Sequence, residues 1–327
     1  MTRVLRWLLC LSVVSLLAAG CSLARFGYDA FPYWAMWQLD RHLDLDDEQR
    51  VLARNAIDDL RAWHERAELP QYARFLKQVD ARLRGVGGGA DGADGPPGHG
   101  AVQGALDGSG AGTDASVPAG DRDAIRPVEF DTWRRTAMAR WAPLADQVAG
   151  PVTTLLASLK PAQIERLKDR FADDNREMIK KYGLDSPNKV VQARADRIIE
   201  RAEFFLGRLS AEQKRALREQ AAGLPSSEAL WLDEREDRQQ ALLALIARLQ
   251  AEKPPATVGR DWTRDYLMSV ISLDNPRRRQ KLEHARQASD EMMVRVVNEA
   301  SDVQRRHLSK RLNEFATDFE RRAGKAG

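Results

Sequence analysis

The stretch LDDEQRVLARNAIDDLRAWHERA, Leu45 to Ala67, reads as an amphipathic helix from end to end. Asp46 stands three residues before Gln49, the spacing of a capping box in which each side chain satisfies the other residue's backbone N–H. Leu45, just ahead of the cap, is placed to act as a hydrophobic staple. Leu52, Ala56, Leu60, Trp63 and Ala67 then recur at intervals of three and four, the period of a helix with one buried face. The opening returns at Leu159-Lys160-Pro161-Ala162-Gln163, at Leu209-Ser210-Ala211-Glu212-Gln213 and, more loosely, at Ala300-Ser301-Asp302-Val303-Gln304. Leu167, Leu217 and Leu308 follow the last three glutamines by four residues. The copies are 114, 50 and 91 residues apart, which excludes a solenoid repeat and reads most simply as four helix starts.

The same period runs through most of the chain. Tyr72, Leu76, Val79 and Leu83 keep it, as do Phe130, Trp133, Ala137, Trp141, Leu144 and Val148. So do Ile164, Leu167, Phe171, Met178 and Tyr182, and finally Val303, Leu308, Leu312, Phe315 and Phe319. Pro70, Pro127, Pro151, Pro161, Pro187, Pro225 and Pro276 fall at or near expected helix starts, where a missing N–H costs nothing. Period-two runs of β-branched residues are absent. The expected class is all-α, a multi-helix bundle of about eight to ten amphipathic helices.

One segment breaks the pattern. Thirteen of residues 85–120 are glycine and none is aromatic, so the segment has too little apolar surface to offset the entropy of ordering it. The expected organisation is a leader over residues 1–20, an aromatic segment with the first helices over 21–84, a disordered Gly-rich loop over 85–124, and the remainder of the same helical domain over 125–327. Gly87, Gly89 and Gly92 form a G-x-G-x-x-G pattern, but no strand precedes it and no helix opens after it, so it is not a dinucleotide fingerprint.

The leader carries Arg3 and Arg6, then the apolar run Trp7 to Leu17, then small residues up to Cys21. The run is shorter than the ~20 residues that span a bilayer as a helix. Leu17-Ala18-Ala19-Gly20-Cys21 is the pattern of a bacterial lipoprotein signal, with Cys21 as the lipidated first residue of the mature chain. Each buried CH₂ of an acyl chain such as palmitate contributes about 0.8 kcal/mol, so a multiply acylated cysteine is a stable membrane anchor. Ser22 after the cysteine resembles the sorting context of enterobacterial outer-membrane lipoproteins. The expected location is the periplasmic face of the outer membrane.

Composition narrows the chemistry. The chain has 51 basic and 48 acidic residues, a balance unlike the clustered positive charge of nucleic-acid-binding proteins. Arg277-Arg278-Arg279 and Lys281 form a local basic patch without interleaved aromatics, read as a solvated helix start. Cys10 leaves with the leader and Cys21 is lipidated, so thiol catalysis and cysteine metal sites are excluded from the mature chain. His42, His64, His99, His284 and His307 have no zincin spacing; a site assembled in space from His42, His64 and Asp40 stays open, but no metal or other cofactor is expected. No nucleophile elbow occurs, and no P-loop lies in the mature chain. Carboxylate pairs such as Asp169 and Asp173 are expected on solvated faces. No catalytic residue is assigned.

Phe26, Tyr28, Phe31, Tyr33, Trp34 and Trp37 crowd the residues after the anchor and form the candidate interaction segment. Their rings can either pack into the core, which is the reading preferred on burial grounds, or sit among lipid headgroups. The acidic run Asp44, Asp46, Asp47 and Glu48 suits a helix N-terminus and lacks calcium-loop spacing.

Ala24-Arg25-Phe26-Gly27-Tyr28, Leu39-Asp40-Arg41-His42-Leu43-Asp44-Leu45, Ala62-Trp63-His64, Glu68-Leu69-Pro70-Gln71-Tyr72 and Arg311-Leu312-Asn313-Glu314-Phe315-Ala316-Thr317-Asp318-Phe319 together resemble a family of Gram-negative envelope lipoproteins that carry a domain of unknown function. That resemblance implies an all-helical lipoprotein and supplies no catalytic residues. The repeated Leu-x-x-x-Gln is similar to the Leu-Thr-x-x-Gln of Spy-like periplasmic chaperones. Three functions are therefore carried forward. The first is a non-catalytic binding or envelope-support lipoprotein whose partners are the membrane, through Cys21, and envelope proteins. The second is a Spy-like holdase for unfolded clients. The third is a peptidoglycan-acting enzyme, although the Glu-Ser pair of helical lytic transglycosylases does not occur. The sequence sets no oligomeric state.

Overall fold

A computed structural model describes residues 20–85, 124–272 and 275–325. The leader and most of the Gly-rich segment, including Gly87, Gly89, Gly92 and His99, lie outside the described residues. The class is all-α, with twelve helices and no strand among the described residues. In chain order they are α1 (Gly20–Leu43), α2 (Asp47–Ala67), α3 (Leu69–Gly85), α4 (Pro127–Ala139), α5 (Trp141–Ala157), α6 (Pro161–Tyr182), α7 (Pro187–Leu206), α8 (Ala211–Gly223), α9 (Glu228–Glu252), α10 (Ala256–Ser272), α11 (Pro276–Asn298) and α12 (Asp302–Ala323).

Twelve exceeds the eight to ten expected because some period-matched runs are broken. The run from Phe130 to Val148 splits at Arg140, whose N–H turns back to Ala137 O at 3.2 Å. Pro143 follows in the next first turn and has no N–H to continue the earlier ladder. The prolines otherwise sit largely as expected, with Pro127, Pro161, Pro187 and Pro276 opening α4, α6, α7 and α11. Pro151 is a correction. It lies inside α5 rather than at a start, where it removes one backbone hydrogen bond.

All four repeated openings are helix starts. Asp46–Gln49, Ser210–Gln213 and Ser301–Gln304 close reciprocal capping boxes. Lys160 has no side-chain acceptor, so only the return half forms there, with Lys160 N–H donating to Gln163 Oε1 at 2.8 Å. The residues in the staple position, Leu45, Leu159, Leu209 and Ala300, are all buried.

The openings also meet in pairs. Gln49 and Gln163 exchange amide hydrogen bonds at 3.1 and 2.7 Å across the starts of α2 and α6. Gln213 and Gln304 do the same at 3.0 and 2.9 Å across the starts of α8 and α12. Spare donors reach backbone carbonyls: Gln163 donates to Asp44 O and Gln49 to Ser158 O, while Gln304 donates to Arg208 O. A buried primary amide needs its donors and acceptor matched, and this exchange does so for both partners at once.

Each glutamine pair adjoins its own hydrophobic cluster. The first gathers Leu43, Leu45, Ala53, Leu155, Leu159, Leu167 and Ile246 from α1, α2, α5, α6, α9 and their approaches. The second gathers Val79, Ile199, Leu206, Leu209, Leu217, Leu308 and Leu312 from α3, α7, α8 and α12, with Val296 and Ala300 from α11 and its exit. Chain reversals between helices use left-handed residues. Gly183 ends α6 at φ 68°, where an added Cβ would meet the Lys189 backbone at 2.7 Å. Asp44, at φ 50°, turns the chain from α1 into α2.

The α8–α9 turn is built around a charge that the sequence did not single out. Arg194 of α7 makes a bidentate pair with Glu228 at 2.8 and 2.7 Å and also donates to the Ala221 and Leu224 carbonyls. Burial pushes the Glu228 carboxyl up, but the Arg194 and backbone hydrogen bonds outweigh it and hold it below its ordinary range.

Candidate functional site

Helix α1 packs into the first cluster and pairs with α2 and α12 at its other end. Its C-terminal half enters the first through Met36, Leu39 and Leu43. There His42 Nε2 meets Asp174 Oδ2 of α6 at 3.0 Å, and His42 Nδ1 meets Gln38 O at 2.8 Å. Arg235 of α9 reaches the same Asp174 oxygen at 3.3 Å.

The N-terminal half of α1 is pinned to α2 and α12. Tyr28 OH meets His64 Nδ1 of α2 at 3.0 Å. Asp29 accepts from Arg322 of α12 at 2.6 Å and from Arg61 at 3.4 Å. Both arginines also lie over the Tyr28 ring, 4.7 and 5.7 Å from its centre. Burial raises the Tyr28 phenol to about 12, helped by the nearby Glu65 charge. Burial also lowers the His64 imidazole, against the pull of Glu68 and Glu65. The Arg322 hydrogen bond holds the Asp29 carboxyl down.

With one face of α1 spent on these contacts, the opposite face is bare. Tyr33, Trp34 and Trp37 are 82%, 55% and 54% exposed. They fall at i, i+1 and i+4 and share one side of the helix. The expectation that these aromatics pack into the core is therefore corrected for these three. The reason is register: Tyr28, Phe31 and Pro32 take the inward positions and are partly buried. Arg41, one turn on, is partly buried, with its guanidinium 3.9 Å from both Asp174 and Glu177 of α6 and 5.4 Å from the Trp37 ring centre. The Cys21 and Phe26 side chains lie outside the described residues.

The structure separates the other sequence candidates. His42, His64 and Asp40 do not converge, since Asp40 pairs with Arg50 at 2.8 Å and the two imidazoles face Asp174 and Tyr28. No cluster of three metal-binding side chains occurs among the described residues. Within the basic patch, Arg278 pairs with Glu234 at 3.1 Å and with Asp237 of α9. The buried glutamates Glu68, Glu228 and Glu234 each face an arginine, with Arg140 gripping Glu68 at 2.7 and 2.5 Å. No helix among the described residues is long and apolar enough to cross a membrane.

Sequence periodicity missed one feature. A cavity of about 480 Å³ opens between α3, α4, α7, α11 and α12. Its wall includes Phe75, Trp133, Phe205, Met293 and Val297, with Arg134, Arg201 and Asp290 at its polar edge. Periodicity marks several of these positions as inward-facing and cannot say whether inward means filled.

Comparison with curated proteins and with solved structures gives no match. Residues 118–258, which run from ahead of α4 through α9 into the start of α10, match the model of a family of unknown function, DUF6279.

Proposed function

We propose that this chain is a lipid-anchored envelope protein, held through Cys21 at the periplasmic face of the outer membrane, that works as a non-catalytic binding protein lying against the lipid surface. The observation that carries the reading is the bare aromatic face of α1. Tyr and Trp combine an apolar body with a polar edge and favour the headgroup layer. Leaving three such rings open to water brings no folding benefit, whereas an adjacent bilayer would cover them. The inward pins at Tyr28, Asp29 and His42 hold this face in place against α2, α12 and α6.

The test uses the full mature chain with Cys21→Ser, so that the anchor does not mask weaker contacts. Vesicles of phosphatidylethanolamine and phosphatidylglycerol should bind it and shift its tryptophan emission to the blue. Trp34→Ala/Trp37→Ala should weaken that binding by at least about tenfold, given about 25 cal/mol per Å² of apolar area covered. Equal vesicle binding by the variant and its parent would remove the basis for the reading. The anchor is tested separately in cells: Cys21→Ala that still fractionates with membranes and keeps its gel mobility would overturn it.

A further inference from the structure

We infer that the cavity between α3, α4, α7, α11 and α12 is a binding site for a long-chain fatty carboxylate, its alkyl chain among Phe75, Trp133 and Phe205 and its carboxylate at the arginines of the mouth. The volume, about 480 Å³, falls within the range of small-molecule sites, and the wall is almost wholly apolar side chains. The space is partly open to solvent beside the second cluster, so a ligand can enter it without the helices parting.

The edge of the cavity fixes the sign of the ligand. Arg134 pairs with Asp131 and, at 3.2 Å, with Asp290, so its charge is held in place. Arg201 lines the cavity, is exposed, and has no ion-pair partner among the described residues. Arg286, one turn before Asp290 on α11, is partly buried outside the lining, in the field of Arg134, Asp290 and Glu283. Burial lowers its guanidinium, and the neighbouring Arg134 adds to that, while Asp290 is pushed up by its own burial. Of the charged residues that line the cavity, Arg134 and Arg201 outnumber Asp290 by one positive charge. A planar carboxylate matches the donor fork of a guanidinium, and an arginine without a partner gains most from one.

The experiment titrates the full mature chain carrying Trp34→Phe and Trp37→Phe with palmitate below its micelle concentration, with 1-hexadecanol as the neutral comparison. Bromine-labelled stearate should quench the emission of Trp133 in the wall, and Trp133→Phe should remove that part of the quenching. Palmitate should bind at least about tenfold more tightly than the alcohol, about the value of one charge-assisted hydrogen bond. Arg201→Gln/Arg286→Gln, at exposed or partly exposed positions, should erase that preference while leaving alcohol binding intact. Met293→Trp should fill the space and abolish both. Equal binding of palmitate and hexadecanol, an unaltered preference in the double variant, or no binding of either would overturn the inference. Vesicle binding by α1 is read from Trp34 and Trp37 and is absent from this measurement, so the two proposals fail separately.

Discussion

Replacing Gln163 with alanine removes four contacts at one point. The side chain donates to Gln49 Oε1 at 2.7 Å and to Asp44 O at 3.0 Å, and it accepts from Gln49 Nε2 at 3.1 Å and Lys160 N–H at 2.8 Å. Lys160 is exposed, so water replaces that partner. Gln49 keeps Ser158 and the Asp46 N–H. The net loss is two to three buried hydrogen bonds at about 1 kcal/mol each, so Gln163→Ala should cost about 2–3 kcal/mol. Gln49→Ala should cost a similar amount. The double variant should recover about 1–2 kcal/mol relative to the sum, because each single change strands the other amide. Urea unfolding followed by far-ultraviolet circular dichroism measures all three, with the exposed Glu165→Ala on the same helix as a control within about 0.5 kcal/mol. The Gln213–Gln304 pair adjoins a different cluster, so losses there should add to those at Gln163 within about 0.5 kcal/mol. A Gln163→Ala variant as stable as the control, or a coupling near zero between Gln49 and Gln163, would show that the exchange does not hold the helix starts together.

Other outcomes follow from the charges. Arg194→Met strands the buried Glu228 carboxylate and should destabilise by about 3–5 kcal/mol, whereas Arg194→Met/Glu228→Met should recover most of that in the same urea assay. Since burial holds the His64 imidazole below 6.5, the unfolded chain takes up a proton that the folded chain refuses. Stability should therefore fall as pH drops through that range, and His64→Gln should flatten that limb; identical pH profiles would refute the assignment. At the alkaline end Tyr28 titrates near 12 rather than 10, so stability should decline between those values, and Tyr28→Phe should remove the decline.

Much of the architecture was legible because it rests on local chemistry. The capping boxes at Asp46, Ser210 and Ser301 need only four residues each, and the buried leucines announce themselves by period. What joins the starts was not legible. Nothing near Gln49 names Gln163, 114 residues away, as its partner, since the pairing depends on how α5 delivers the start of α6. Nothing in the local sequence marks Arg194, whose partners Ala221, Leu224 and Glu228 are brought to it only by the α8–α9 turn. The aromatic segment was visible as composition, but the inward or outward fate of each ring depends on which face of α1 meets α2, α6 and α12. The cavity left no trace at all, because apolar residues at helical spacing look the same whether they meet a neighbour or a void.

The family match acquires a different meaning beside the glutamine pairs. The matched stretch, 118–258, contains Gln163 and Gln213, while Gln49 precedes it and Gln304 follows it. It owns one half of each clasp and neither whole. A fragment cut at those limits would carry two unmatched amides facing outward, with α1, α2 and α12 missing from around them. The stretch that sequence comparison picks out and the piece that can fold by itself are therefore not the same object, and expression trials should begin before Leu45 and end after Phe319.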